Sequence, residues 1–167
     1  YLSNCELDTQ SLVALATVLR DNNSLSVLDV SRPLAKTIMD EPAAHLARML
    51  KVNTSLVELD ISKSGLRDFG LQLICEELYR AGATSQLQVL AARANEIALV
   101  DERCVGALSL LLSSPECRLS ELLIGGNSLR DEGAMKLADS VTSSRSILHL
   151  DVSSNSITSK GLCALAR

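Results

Sequence analysis

The side chains best suited to chemistry are two histidines, five cysteines and a Gly–Gly pair, and their spacing decides what they can do. His149 and Asp151 stand two apart, so on a strand both project to the same side. A carboxylate beside an imidazole can orient it for general-base work. No serine, cysteine or further carboxylate completes that constellation, and the pair reads as solvated surface residues. His45 lies elsewhere, three residues after Pro42, and is expected half-exposed on a helix. Cys5, Cys75, Cys104, Cys117 and Cys163 are odd in number, widely separated and without a C-x-x-C pair. That spacing argues against a metal site or a disulfide framework and for small buried side chains in a reducing compartment. Gly125–Gly126 lacks the following Lys and helix start that a phosphate-cradling loop requires, so close backbone approach or a local bulge is the expected role. Nothing here points to a catalytic residue, a metal, a cofactor or a small-molecule substrate.

What must position these residues is a repeat. Leu119, Leu122, Ile124, Asn127 and Leu129 form a frame that returns at Ile147, Leu150, Val152, Asn155 and Ile157. It occurs upstream at Leu87, Leu90, Ala92, Asn95 and Ile97, at Leu56, Leu59, Ile61, Ser64 and Leu66, and more weakly at Leu25, Leu28 and Val30. Leu2, Cys5 and Leu7 fill its last three slots at the start of the chain. Successive first leucines are separated by 31, 31, 32 and 28 residues. After each frame comes helical spacing: Gly70, Ile74 and Leu78, then Gly133, Leu137 and Val141, with Gly161 and Leu165 beginning the same series and Leu15 and Leu19 continuing it upstream. Asp68 and Asp131 stand where they can cap their own helices, Ser159 is the corresponding candidate in the last repeat, and Asp40 with Pro42 is a similar start signal. Each unit is a strand, a tight turn, a helix and a return loop, which can bury its leucines only by stacking on its neighbours. Parallel strands then line a concave face and helices a convex one, giving an α/β horseshoe.

The Asn slot is expected to turn inward and to satisfy backbone groups left unpaired by the turn, with Ser64 and Cys5 as weaker substitutes. Pro33 has neither a side-chain donor nor an N–H, so a distorted turn is expected in that repeat, together with a longer connection through Lys36–Glu41.

Long repeats with a full helix and Asn or Cys in the turn slot resemble the ribonuclease-inhibitor-like class of leucine-rich repeats. The stretches Leu129–Leu137 (LRDEGAMKL) and Leu66–Ile74 (LRDFGLQLI) look most typical. The class includes ribonuclease inhibitors, the Ran GTPase-activating protein, receptor domains of innate-immune sensors, tropomodulin-like actin regulators and ciliary or axonemal proteins. The resemblance implies a cytoplasmic or nuclear protein-binding arc, with a place in a cytoskeletal or ciliary assembly as one form of it. A GTPase-activating factor and a ligand-sensing receptor domain are the alternatives. Residues 1–167 read as one domain of about six repeats, the first and last incomplete, and as an excerpt of a longer solenoid.

On the concave face the positions between the consensus leucines face a partner. The candidates are Asp29, Arg32, Glu58, Asp60, Val89, Ala91, Arg93, Glu121, Leu123 and Asp151. Asp29, Asp60 and Asp151 share one slot, which Ala91 and Leu123 fill with apolar groups in the middle repeats. This predicts a dry patch of Val89, Ala91 and Leu123 ringed by Glu58, Asp60, Arg93 and Glu121. Leu123→Glu is then expected to weaken binding and leave the fold intact. The convex helices and the loops after Ala35 and Ile97 are the competing surfaces. A formal charge of −4, with both signs mixed along the chain, supplies no basic face for nucleic acid. The longest apolar stretch, around Ala107–Leu112, is far too short to span a membrane. A protein partner is what remains.

Overall fold

The computed structural model describes residues 1–34 and 40–166. The expected longer connection through Lys36–Glu41 lies mostly outside them. Five three-residue strands, β1 (Val27–Asp29), β2 (Glu58–Asp60), β3 (Val89–Ala91), β4 (Glu121–Leu123) and β5 (His149–Asp151), pair in parallel in chain order. Helices α1 (Thr9–Leu19), α2 (Asp40–Val52), α3 (Asp68–Ala81), α4 (Glu102–Ser113), α5 (Arg130–Thr142) and α6 (Ser159–Leu165) return the chain on the other side. The register carries the repeat exactly as the leucine frame sets it, with Leu28, Leu59, Leu90, Leu122 and Leu150 side by side.

Burial explains that register. The central residue of a strand points into the layer between sheet and helices, and Leu59, Leu90 and Leu122 are each wholly buried there. Ile61, Leu66, Ile74, Ile97, Ile124 and Leu137 complete the same layer. Each such side chain contributes roughly 1.5–3 kcal/mol on leaving water, and none could do so within one repeat. In α1 the fully buried residues are Leu12 and Ala16, while Leu15 and Leu19 are half-buried against the core.

The turns after the strands are alike. Asn4, Arg32, Lys63, Ala94, Gly126 and Ser154, each immediately before the Asn slot, all have φ between +51° and +72°. Backbone N–H groups of five of them donate to the next repeat: Asn4 to Ser31, Arg32 to Ser62, Lys63 to Arg93, Ala94 to Gly125 and Gly126 to Ser153. The turn at Pro33 belongs to this series, so the expected distortion is not found as far as Leu34. Its hand is set by Arg32 and its spacing by the main-chain ladder, neither of which needs a donor from Pro33.

Inside the turns, the asparagines bond as expected and also tie repeats together. Asn127 Nδ2 donates to Ala92 O of the preceding repeat (2.9 Å) and Ile124 O of its own (2.8 Å), while Oδ1 accepts from Ile97 N (3.0 Å). Asn155 bonds Ile124 O and Leu129 N in the same way, and Asn95 bonds Ile61 O and Ser64 N. Ser64 Oγ donates to Ile61 O, and Cys5 Sγ makes a long contact (3.6 Å) with Ser3 O.

The capping expectation needs correction. Asp68 and Asp131 make no cap for their own helices. Instead the Asp68 carboxylate accepts from the backbone N–H groups of Ala98, Leu99, Val100 and Asp101, in the entry loop of the next repeat. Asp131 likewise accepts from Thr158 N and Gly161 N, and from the Thr158 hydroxyl. The helix layer sets each repeat's first turn beside the next repeat's loop, whose N–H groups take the carboxylate in place of the local ones. Among the described residues the side-chain caps at helix starts are Asp8, Asp101 and, in place of Ser159, Thr158.

Candidate functional site

Strand pairing arranges the concave candidates in rows that run across the sheet, with about 4.8 Å between neighbours. The first row is Val27, Glu58, Val89, Glu121 and His149; the second is Asp29, Asp60, Ala91, Leu123 and Asp151. The third, just past the strands, is Ser31, Ser62, Arg93, Gly125 and Ser153, followed by the turn row that contains Arg32.

The two strand rows differ in what their side chains do. In the second row each aspartate accepts from the backbone N–H two residues on: Asp29 from Ser31, Asp60 from Ser62 and Asp151 from Ser153, all at 2.8–3.0 Å. These are Asx turns that bend the chain out of the strand. The D-x-S tripeptide was present three times in the sequence, and it was the readable signal for a structural role. Ala91 and Leu123, in the same row, are only 2% and 7% exposed. The apolar centre is therefore largely closed, with Val89 its half-exposed member. Leu123→Glu would put a carboxylate into a buried place, so it is expected to destabilise the fold as well as any contact there.

An ion pair crosses the same part of the sheet. Arg93 Nε donates to Asp151 Oδ2 at 2.8 Å, reaching from the third-row position after β3 to β5, two strands away. The residue between them in that row is Gly125. A Cβ there would lie 2.7 Å from Ser153 Oγ and about 3.0 Å from the Asp151 carboxylate. Gly125 therefore leaves room for the ion pair, which agrees with the close approach expected of this glycine pair. The Ser153 bonds, and then Arg93, hold the Asp151 carboxyl down at about 2. Asp151 thus has Arg93 and Ser153 as its partners, and His149 stands exposed beside it.

The first row is different. Glu58, Val89 and Glu121 are all half-exposed on adjacent strands, and neither glutamate carboxylate has a partner among the described residues. Arg32 is exposed at the turn edge. The sheet thus brings all ten candidates to one face but divides them: Asp29, Asp60, Arg93 and Asp151 are bonded within the chain, Ala91 and Leu123 are buried, and Glu58, Val89, Glu121 and Arg32 remain available.

Cysteine placement only partly matches expectation. Cys75 and Cys104 are buried, and burial raises both thiols, Cys75 to about 12. Cys117 is half-buried, whereas Cys5 and Cys163 are exposed, so the expected burial holds for only part of the set. His45 is half-exposed on α2, as expected. Among the described residues no group of three or more His, Cys, Asp or Glu is arranged to hold a metal ion, and no helix is long and apolar enough to cross a membrane.

Comparison with known proteins accords with this architecture. A family model described as "Leucine Rich repeat" matches residues 52–75, 118–138 and 143–166. Mouse leucine-rich repeat-containing protein 34 is 35% identical over 96 residues, covering 58% of this chain and 22% of the relative. Mouse ribonuclease inhibitor is 28% identical over 152 residues, covering 77% of this chain and 33% of the relative. The chain thus spans between about a fifth and a third of the length of these relatives. Among solved structures, the C-terminal domain of Caenorhabditis elegans tropomodulin superimposes with a TM-score of 0.65, covering 95% of this chain and 89% of that one; at 16% identity this is a likeness of fold. Together with the leucine register, the asparagine turns and the full helix in each repeat, these matches support a leucine-rich-repeat solenoid of the ribonuclease-inhibitor type, without singling out a member.

Proposed function

We propose that this chain is a non-catalytic protein-binding arc that receives a protein partner on its concave face, with Glu58, Val89 and Glu121 at the centre of the contact. The observation that carries this is the free first row. Glutamate is disfavoured on strands, and here two glutamates occupy strands on either side of β3 without a bonding partner among the described residues. The neighbouring aspartates are accounted for by their turns; these two are not. A carboxylate, an apolar side chain and a second carboxylate, set across roughly 10 Å of sheet, fit a partner that presents basic groups on either side of an apolar one. Arg32 at the rim adds a cation for an acidic group at the edge of the same contact.

Photo-crosslinking tests this directly. A benzophenone amino acid is placed at Val89, or at the convex residue Met135, in the full-length protein, and covalent adducts are identified from cells. A partner captured through Val89 and lost on combined Glu58→Lys and Glu121→Lys substitution is the expected result, with affinity lowered roughly tenfold or more as the charges reverse. Adducts from Met135 alone, or adducts from Val89 indifferent to charge reversal, would falsify the proposal.

A further inference from the structure

We propose that α3 and α4 form a second docking groove on the convex face, one that accepts an amphipathic peptide segment of a protein partner carrying an apolar side chain next to a carboxylate. The starting point is Gly106. Glycine is the least favoured helix residue after proline, and the other helical glycines have an internal reason to be there. A Cβ at Gly70 would meet the Leu66 side chain, one at Gly133 would meet the Ala98 carbonyl, and one at Gly161 would lie 2.6 Å from Ile157 Cγ2. At Gly106, in the middle of α4, nothing lies within 4 Å of the added atom. Among the described residues no packing requires this glycine.

What the glycine does is keep a groove open. Arg103, Gly106, Ala107 and Leu110 form one stripe along α4, at the spacing of a single helix face. Opposite, Tyr79 and Arg80 line the groove from α3 together with Gln72 and Glu76, which are bonded to each other, and the space between the helices measures about 500 Å³. Tyr79 and Leu110 are 47% and 55% exposed, large for apolar residues, so the walls are greasy and open to water. The charges at the rim are not equivalent. Arg80 is paired with Glu76 and Glu77 on its own helix. Arg103 is exposed, and its guanidinium has no partner among the described residues. The groove therefore offers an apolar notch above Gly106 and one uncompensated cation a helical turn away. Its complement is a helix-in-groove segment with an aliphatic or aromatic side chain for the notch and an Asp or Glu about one turn along for Arg103.

A random twelve-residue peptide library displayed on phage provides the probe. It is selected on the full chain and counter-selected on the Gly106→Leu variant, whose new side chain fills the notch without touching the core. The expected result is an enriched family combining an apolar residue with a nearby acidic one. A synthetic member of that family should lose binding about tenfold or more on Gly106→Leu and on Arg103→Glu, and keep it on Glu58→Lys, which separates this groove from the concave face. Gly106→Ala, followed by circular dichroism, checks the helix, and Arg103→Glu carries the test if Gly106→Leu does not fold. No enrichment over the counter-selecting variant, or enriched peptides lacking an acid and indifferent to Arg103→Glu, would overturn the proposal.

Discussion

Single residues can carry much of the stability, and Asp68 is the strongest case. Its carboxylate, 9% exposed, accepts four backbone N–H groups of the following repeat. Removing it leaves several donors in a partly buried loop without an acceptor, each costing on the order of 1 kcal/mol or more. Asp68→Ala is therefore expected to cost about 3 kcal/mol in urea unfolding, and Asp131→Ala, whose bonds are more exposed, about 1 kcal/mol. Equal effects would mean that the Asp68 bonds are replaced by water. Asp151 makes a separate prediction about pH. Its folded-state value of about 2 lies below the ordinary 3.8, so its contribution is fully present above the ordinary value and is lost as pH falls from there through about 2. Carboxyl NMR titration should give that midpoint, and Arg93→Ala should move it up only part of the way, since the Ser153 bonds are the larger cause. Thiol chemistry adds a third check. Iodoacetamide on the native protein should label Cys5 and Cys163 readily and leave Cys75 and Cys104 unmodified until unfolding, as read by peptide mass spectrometry.

At the scale of elements, the helical glycines form a natural series in which local propensity and packing oppose each other. Alanine in place of glycine favours a helix interior by about 1 kcal/mol. At Gly106 no contact opposes it, so Gly106→Ala should stabilise by that amount. At Gly70 the obstacles are side chains, the end of Leu66 and the Ala43 methyl, which can give slightly, whereas at Gly133 it is the Ala98 main chain, which cannot. Gly133→Ala should therefore be destabilising by about 1–3 kcal/mol and Gly70→Ala close to neutral; thermal unfolding of the three variants gives the order. Much of this level was legible in the sequence. The leucine frame gave strand positions and register, because only one phase buries Leu59, Leu90 and Leu122 together. The asparagine turns followed from unpaired backbone groups. What local reading missed was any bond reaching into the next repeat: Asp68 and Asp131 carry an ordinary capping signal, and nothing in their own neighbourhood says that the better donors lie about thirty residues further along. The concave face was misjudged for a related reason. Strand alternation tells which side Leu123 faces, but not that the side chain ends only 7% exposed there.

For the molecule as a whole, stability should be graded rather than uniform, since each repeat touches only its neighbours. The centre holds two kinds of tie at once. Leu59, Leu90, Leu122 and the residues stacked behind them are fully buried, and Asn95 and Asn127 bridge consecutive turns across β2, β3 and β4. Toward β1 the turn slot is Pro33, which has no amide to bridge with, although Asn53 compensates on the opposite side by binding Leu19 O and Asn22 O. Toward β5 the ties weaken differently: Asn155 still bridges to Ile124 O, but Leu150 and Val152 remain half-exposed and Leu148 is 88% exposed. Native-state hydrogen exchange should follow this gradient. The amides of Ile61 and Ala92, which donate across the central strands to Ala91 O and Leu123 O, should be the slowest, and Ile124, which donates to Asp151 O, should exchange sooner. The Asn127→Ala variant distinguishes local coupling from a single global transition. If the turn bridges act between neighbours, removing one should speed exchange on both sides of β4 more than at Leu28 or Val30. A uniform acceleration over the whole chain would show instead that the arc opens as one cooperative unit.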